Sequence, residues 1–275
     1  MISFLNERKE YGPVPGSYNE LTGQQLILIA ELFAKALPKD LAELKALSIL
    51  LNLSLYSFSM ISADAKEGML NATLPGDQKE RRFIDWIFDR NTLTEQVLPF
   101  YNGFWGPAKE FENLTLSEFH FTEVYYREMM DEAPTLKGEE SKISALDKLV
   151  AVLYRKPKPG YDIDLNTDGD VRQKFNANEV NYYANIIAGW PAEVKLAVLF
   201  FYDGCRQNLL ENYDEIFNGD SGEDNEDGMF GIIRGLSGTK YGDIDKVEML
   251  NIHTALYELT LQLKEEEKNP RPAAE

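Results

Sequence analysis

Reactive side chains are scarce in this 275-residue chain, which has one cysteine, Cys205, and two histidines, His120 and His253. A single cysteine cannot form an internal disulfide, so we expect a reducing compartment. A structural zinc site would need about four cysteine or histidine ligands, more than the chain supplies. A Cys–His dyad would lack a neighbouring group to orient it. The glycine-rich segment 228–238 lacks the Gly-Lys-Ser/Thr ending of a phosphate-binding loop. We therefore predict that the protein is not an enzyme.

Long apolar runs and an excess of basic charge are also missing. The longest apolar run, 196–202, is far shorter than the roughly 20 residues that span a bilayer, and the first residues contain no apolar core of signal-peptide length. The chain has 28 basic and 46 acidic residues, which gives a net charge of −18. This balance argues against binding to phosphate backbones or anionic lipid. We expect neither nucleic acid nor a membrane as a partner.

Apolar residues recur mainly at helical spacing, and no convincing strand pattern is visible outside the N-terminal residues. The pattern predicts a mainly α, multi-helix, bundle-like globular fold with a long central helix and irregular loops. We expect residues 54–77 to be irregular and 101–107 to form an aromatic loop. The predicted helices cover 22–36, 38–51, 81–90, 115–130, 141–154, 177–188, 191–217 and 245–264.

Proline and glycine suggest how the chain is divided. The predicted parts are an extended N-terminal arm (1–21), a helical N-terminal part (22–155), a helical C-terminal part (161–265) and a flexible tail (266–275). The linker 156–160 (KPKPG) is the candidate boundary, although the two helical parts could form one domain. The start of the predicted helix 191–217 is apolar on nearly every face, which indicates a buried axis. Gly204 lies where another backbone could approach this helix closely.

An acidic segment resembles the first half of a calcium-binding loop. Counted from Asp164, oxygen-bearing side chains stand at positions 1, 3, 5 and 7, and glycine stands at position 6. The candidate ligands are Asp164, Asn166, Asp168 and Asp170. Position 12, which should be a bidentate glutamate, is Phe175. The alternative is an Asx-rich turn whose side chains bond nearby backbone N–H groups.

Two apolar features are candidate partner-binding surfaces. Phe104 and Trp105 lie in the predicted aromatic loop and could be an exposed hot spot or core. The last predicted helix has apolar residues at alternating spacings of 3 and 4. This seam could pack within the protein or dock a partner helix. Its candidate binding residues are Met249, Ile252, Leu256 and Leu259.

Three groups of short motifs carry a family resemblance. They are 149–155 (LVAVLYR) with 169–172 (GDVR) and 175–176 (FN); 190–199 (WPAEVKLAVL) with 202–206 (YDGCR); and 241–248 (YGDIDKVE) with 253–257 (HTALY). On these motifs the chain resembles a family of helical proteins encoded in the structural gene clusters of tailed phages and prophages. The resemblance covers roughly residues 90–265 and includes no catalytic motif.

The resemblance implies a phage morphogenesis protein that acts by protein–protein binding. It is similar to tail-assembly chaperones or tape-measure-associated factors, whose partners would be phage structural or tail proteins in the host cytoplasm. The alternative is a structural virion component, such as a connector or cargo protein. A calcium-binding or hydrolytic protein is a third hypothesis, supported only by the half loop. Homo-oligomer formation is left open.

We predict that the acidic loop does not bind calcium tightly, because Phe175 replaces the bidentate ligand. Any affinity should be no tighter than about 10⁻³ M. Isothermal titration calorimetry measures it directly. A micromolar dissociation constant that is lost in Asp168→Ala would contradict this expectation.

Overall fold

A computed structural model of the chain describes residues 2–6, 9–73, 81–131, 144–161, 169–217, 236–238 and 241–268. These residues are mostly helical, which confirms the predicted mainly α fold class. Their contacts divide the chain into two compact units. Unit 1 comprises Met1–Leu98 and Pro191–Gly204, and unit 2 comprises Pro99–Trp190 and Cys205–Glu275.

Helices form most of both units, and two short hairpins accompany them. Within the described residues, no helix combines the length and apolar composition that a membrane crossing requires. The strands are β1 (Ile2–Asn6), β2 (Lys9–Val14), β3 (Phe100–Tyr101) and β4 (Phe104–Trp105). The helices are α1 (Gly23–Ala34), α2 (Lys39–Leu50), α3 (Leu55–Ser59), α4 (Ala63–Leu70), α5 (Leu116–Asp131), α6 (Ala145–Leu153), α7 (Val180–Ile187), α8 (Ala192–Asn212), α9 (Asp214–Phe217), α10 (Ile244–Glu248) and α11 (Ile252–Lys268).

The predicted N-terminal arm is extended but folded back on itself. Strands β1 and β2 pair antiparallel, with Ile2 opposite Val14, so each strand satisfies backbone groups of the other. Farther along, Tyr18 is buried and its hydroxyl donates to the Ile87 carbonyl. The 1–21 segment therefore ends as part of the core of unit 1.

Helices α1 and α2 form an antiparallel pair in unit 1. Thr22 and Gln25 make a capping box, because the Thr22 hydroxyl accepts from the Gln25 N–H and the Gln25 side chain accepts from the Thr22 N–H. The Gln25 amide also donates to the carbonyls of Ile49 (3.1 Å) and Leu50 (3.2 Å). These bonds join the start of α1 to the end of α2.

The prediction that 54–77 is irregular is wrong for 55–70, which contains α3 and α4; residues 74–77 lie outside the described part of the chain. Serine caps begin both helices. The Ser54 hydroxyl accepts from the Ser57 N–H at 3.1 Å, and the Ser62 hydroxyl accepts from the Ala65 N–H at 3.2 Å. Each bond satisfies a backbone donor that a helix start leaves free.

The helix predicted over 81–90 is also wrong, since only the 3-10 turn Asp85–Phe88 forms there. Arg82 binds the carboxylates of Asp85 and Glu43, each at 2.7 Å. The Arg82 N–H donates to Asp85 as well, so a side chain replaces the helical backbone pattern. The apolar residues Phe83, Ile84 and Ile87 are nevertheless fully buried, as their spacing suggested.

The predicted aromatic loop of unit 2 is a tight hairpin. Strands β3 and β4 pair Phe100 with Trp105 and Tyr101 with Phe104. Asn102 (φ 47°) and Gly103 (φ 81°) both have the positive φ of a two-residue primed turn. Asn-Gly between aromatic residues is a strong hairpin signal, which the loop interpretation missed.

The predicted boundary at 156–160 lies inside unit 2. The Lys158 N–H donates to the Val171 carbonyl at 2.9 Å, and the Gln173 N–H donates to the Lys156 carbonyl at 2.8 Å. Backbone hydrogen bonds therefore join this segment, which follows α6, to residues 171–173. Helix α6 itself begins after a capping box formed by Ser144 and Asp147, and 141–143 lie outside the described residues.

The predicted long helix 191–217 is interrupted at Tyr213, between α8 and α9. Its residues up to Gly204 belong to unit 1 and those from Cys205 to unit 2. One stripe of α8 is buried, at spacings of three and four residues: Val194, Ala197, Val198, Phe201, Cys205 and Leu209. The helix therefore supplies core residues to each unit. Its apolar start predicted burial on nearly every face, but the start is buried mainly along this stripe.

The final predicted helix, capped by Asp245, is instead two helices. Asp243 caps α10 by accepting from the Lys246 N–H at 3.2 Å. Asn251 caps α11 by accepting from the His253 N–H at 3.0 Å. Helix α11 continues to Lys268, so the first residues of the predicted tail 266–275 are helical, and 269–275 lie outside the described residues.

Gly204 is predicted to be irreplaceable in unit 1. A Cβ atom at this position would collide with the Leu93 carbonyl oxygen and would lie 2.9 Å from the Leu93 nitrogen. Gly204→Ala should lower the free energy of unfolding by at least about 3 kcal/mol, since backbone must move. Gly68→Ala is the matched control, because a Cβ there meets nothing within 4 Å. It should stabilise α4 by about 0.5–1 kcal/mol. Denaturant melts of both variants measure the difference, and equal stabilities would refute the close approach.

Candidate partner-binding site

A cleft of about 310 Å³ lies beside the α1–α2 pair of unit 1. Leu53 and Leu55 border it where the chain enters α3. Helix α1 lines it with Leu28, Glu31, Leu32 and Lys35. The α2 side contributes Lys45, Ser48, Ile49 and Asn52. We call this the α1–α2 cleft; five of its ten lining side chains are apolar.

The charges of the α1–α2 cleft are unevenly paired. Lys35 and Glu31 form an ion pair within α1. Lys45 has no carboxylate within ion-pair distance among the described residues. The cleft therefore carries one uncompensated positive charge on a chain whose net charge is −18.

Helix α3 exposes three large apolar side chains next to the cleft. Leu55 is 75% exposed, Tyr56 76% and Met60, the residue after the helix, 72%. Phe58 is buried and holds the helix on unit 1, with the Lys66 ammonium 4.9 Å from its ring centre. We call Leu55, Tyr56 and Met60 the α3 apolar patch. Adjacent exposed apolar residues of this size are typical of interaction sites.

The sequence did not point to the α3 apolar patch. Ser54 as a helix cap was a usable signal for α3, but the exposure of its residues depends on which side faces unit 1. Only Phe58 is turned inward.

The hairpin candidates are mainly core. Phe104 is 1% exposed and packs edge-on against Trp190, with ring centres 5.5 Å apart. Trp105 is half-buried and lies on the opposite face, where its ring centre is 5.1 Å from that of Phe100. Phe104 is therefore unavailable to a partner, which corrects its assignment. The exposed aromatic residue of the hairpin is Phe100, which is 47% exposed.

The α11 seam also packs inside unit 2. Ile252 and Leu256 are completely buried, so their assignment as partner-binding residues is corrected. Met249 and Leu259 are half-buried. The neighbouring His253 takes part in the same packing. Its Nε2 atom lies 2.8 Å from the Glu110 carbonyl oxygen. Of the two alternatives for the seam, the structure therefore shows packing within the protein rather than an open surface for a partner helix.

Three of the candidate calcium ligands, Asp164, Asn166 and Asp168, lie outside the described residues. Asp170 is described, and both its carboxylate oxygens bind the Arg172 guanidinium at 3.0 Å. A calcium ion would have to compete with this ion pair. In the described part of the chain, no three acidic, histidine or cysteine side chains are grouped closely enough to hold a metal.

Unit 2 contains a buried charge cluster formed by Arg155, Arg172, Glu118 and Asp170. The Glu118 carboxylate is 1% exposed; it forms an ion pair with Arg155 and lies 3.7 Å from Arg172. Burial, together with the charge of Arg172, lowers the pKa of Arg155 to about 10. Arg155 therefore stays a cation at neutral pH, and the two arginines balance the two carboxylates. No local sequence pattern indicates this cluster, because its members come from separate segments of the chain.

The scarce reactive residues are placed in packing roles. Cys205 is 1% exposed in the buried stripe of α8. His120 is half-buried, and its burial and the nearby Arg127 charge lower its pKa. The Tyr213 hydroxyl donates to the His253 carbonyl at 3.3 Å.

We expect the buried charge cluster to stabilise unit 2 rather than bind a ligand. Glu118→Gln should lower the free energy of unfolding by about 3–5 kcal/mol, because two buried arginines lose their shared carboxylate. Glu128→Gln is the control on the same helix, since its exposed pair with Lys148 at 3.6 Å is worth at most about 1 kcal/mol. Thermal and denaturant unfolding measure both. Equal losses in the free energy of unfolding would show that the cluster does not depend on Glu118.

No protein-family model matches the chain, and no curated protein or solved structure is significantly similar to it. The function is therefore inferred from the geometry of the described residues and from the motif resemblance of the sequence.

Proposed function

We propose that this protein binds another protein during assembly of a tailed-phage particle, as a tail-assembly chaperone. The observation that carries the binding role is the α3 apolar patch, with Leu55, Tyr56 and Met60 each more than 70% exposed. The phage context comes from the sequence motifs alone.

The size of the α3 apolar patch determines how much free energy it can contribute to binding. Complete burial of a large apolar side chain stabilises a complex by about 1.5–3 kcal/mol, so three that are already one-quarter buried supply about 3–7 kcal/mol. Association costs at least about 4 kcal/mol in lost translational and rotational freedom. The patch alone therefore gives weak binding at best. A partner must also occupy neighbouring surface, and the α1–α2 cleft, which Leu55 borders, is the adjacent one.

The charge of the chain fits this role. A net charge of −18 opposes self-association and keeps a protein soluble while an apolar surface stays open. It also disfavours contact with the phosphate backbone of DNA that is packaged nearby. A protein that must find a protein client beside nucleic acid benefits from both effects.

We predict that the double substitution Leu55→Ser, Tyr56→Ser abolishes partner binding without unfolding the protein. Both side chains are about three-quarters exposed, so their loss should change stability by no more than about 1 kcal/mol. Co-expression with each structural protein encoded beside this gene, followed by pull-down and circular dichroism, tests both parts. Tyr182→Ser is the control, since Tyr182 is 65% exposed on α7 of unit 2. It should bind like the wild type.

Two further outcomes decide between functions. If no neighbouring structural protein co-purifies and particles form normally without the gene, the morphogenesis proposal fails. If the protein is present in purified particles in stoichiometric amounts, it is a structural virion component instead of a chaperone. A chaperone would be absent from finished particles.

A further inference from the structure

We propose that the α1–α2 cleft binds one amphipathic α-helix of the partner, and that this helix carries a carboxylate at the edge of its apolar face to pair with Lys45. This inference rests on the proposed binding function and specifies the chemistry of the partner.

The spacing of the lining residues argues for a helix as the occupant. On α1 the cleft is lined at i, i+3 and i+4, counted from Leu28, and on α2 at the same spacings counted from Lys45. Lys35 and Asn52 line it just beyond the ends of these two helices. This spacing is the side of a helix that faces another helix. Two antiparallel helices that both turn such a side toward one groove form two-thirds of a three-helix packing arrangement. Helix-in-groove recognition uses this geometry.

The length and volume of the cleft agree with this occupant. The helical lining residues, 28–32 on α1 and 45–49 on α2, rise about 6 Å from first to last, a little more than one turn. A partner helix would therefore insert apolar side chains from one or two consecutive turns. Leu28, Leu32 and Ile49 supply the apolar contacts, and a volume of about 310 Å³ is enough for a few side chains but small for a drug-sized ligand.

Charge decides which kind of helix fits. Lys35 is already paired with Glu31, whereas Lys45 has no ion-pair partner among the described residues. A partner lysine or arginine at this edge would meet a like charge, and a glutamate or aspartate would neutralise it. The overall negative charge of the chain opposes an acidic partner only weakly, because salt screens the repulsion between charges more than about 8 Å apart. The local charge of Lys45 therefore favours a partner helix with an acidic residue at this edge over one with a basic residue.

A pair of synthetic probes tests the proposal. Both are fluorescein-labelled, side-chain-stapled helical peptides of about four turns, with leucine at i, i+3, i+4 and i+7. One has glutamate and the other lysine beside the leucine face. Fluorescence anisotropy with the full chain measures both affinities. The glutamate peptide should bind about two- to fivefold more tightly, the range of a partly exposed ion pair.

Variants of Lys45 locate the effect. Lys45→Glu should reverse the preference and Lys45→Met should abolish it. Lys174→Glu is the matched control, because it changes the net charge equally at an exposed site in unit 2. It should leave the preference unchanged. Ile49→Arg should remove binding of both peptides. Leu41→Arg should not, because Leu41 is also on α2 but lies outside the cleft and is 43% exposed.

The outcomes separate this inference from the proposed function. If wild type binds neither peptide, or if Lys45→Glu leaves the preference intact, the helix with a carboxylate is refuted. Pull-down that still depends on Leu55 and Tyr56 would then leave the binding function standing. If sedimentation shows a dimer of the chain that Ile49→Arg dissociates, the occupant is a second copy, and the proposal of a partner helix is wrong.

Discussion

Arg172 carries a full charge into the interior of unit 2, and the local structure there depends on pairing it. Its guanidinium binds Asp170 and donates to the carbonyls of Leu153 (3.1 Å) and Asn113 (3.0 Å). An unpaired buried charge costs several kcal/mol, so these three segments have to meet at one place. The end of α6 is thereby fixed, and with it Arg155, whose backbone pairs with Trp105 of the β3–β4 hairpin. The buried charge of Arg172 thereby helps to hold the β3–β4 hairpin against the end of α6.

The α1–α2 pair of unit 1 is organised differently. Gln25 fixes one end by donating to two carbonyls at the end of α2, and Glu43 on the same helix is held by Arg82. Hydrogen bonds from Arg82 lower the pKa of Glu43. The Glu43–Arg82 ion pair therefore stays intact at neutral pH. Among the described residues, Lys45 has no carboxylate within ion-pair distance, unlike Lys35 and Lys39 of the same helix pair. The side of the pair that contains Lys45 is the side with the cleft.

Local sequence signals predicted elements well and exposure poorly. Capping pairs such as Thr22–Gln25 and apolar periodicity located most helices, because both act within one or two turns. The 81–90 helix failed because Arg82 binds Glu43, which is distant in sequence. Phe104, a candidate partner-binding residue, is core instead, because residues alternate between the faces of a hairpin and the sequence does not say which face is inside. The α1–α2 cleft was beyond reach for the same reason, since it is defined by two helices together.

The identity of the α3 residues is the strongest reason to assign this surface a function. Helix α3 spans only Leu55–Ser59, far fewer than the roughly 12 residues that an isolated helix needs to be stable. It is held by the Ser54 cap and by the buried Phe58, and neither requires an apolar residue at positions 55, 56 or 60. Polar side chains there would satisfy the fold equally well and would lower the risk of aggregation. Large apolar residues at these three positions therefore support the proposal that this surface contacts another molecule, beside a cleft lined by α1 and α2.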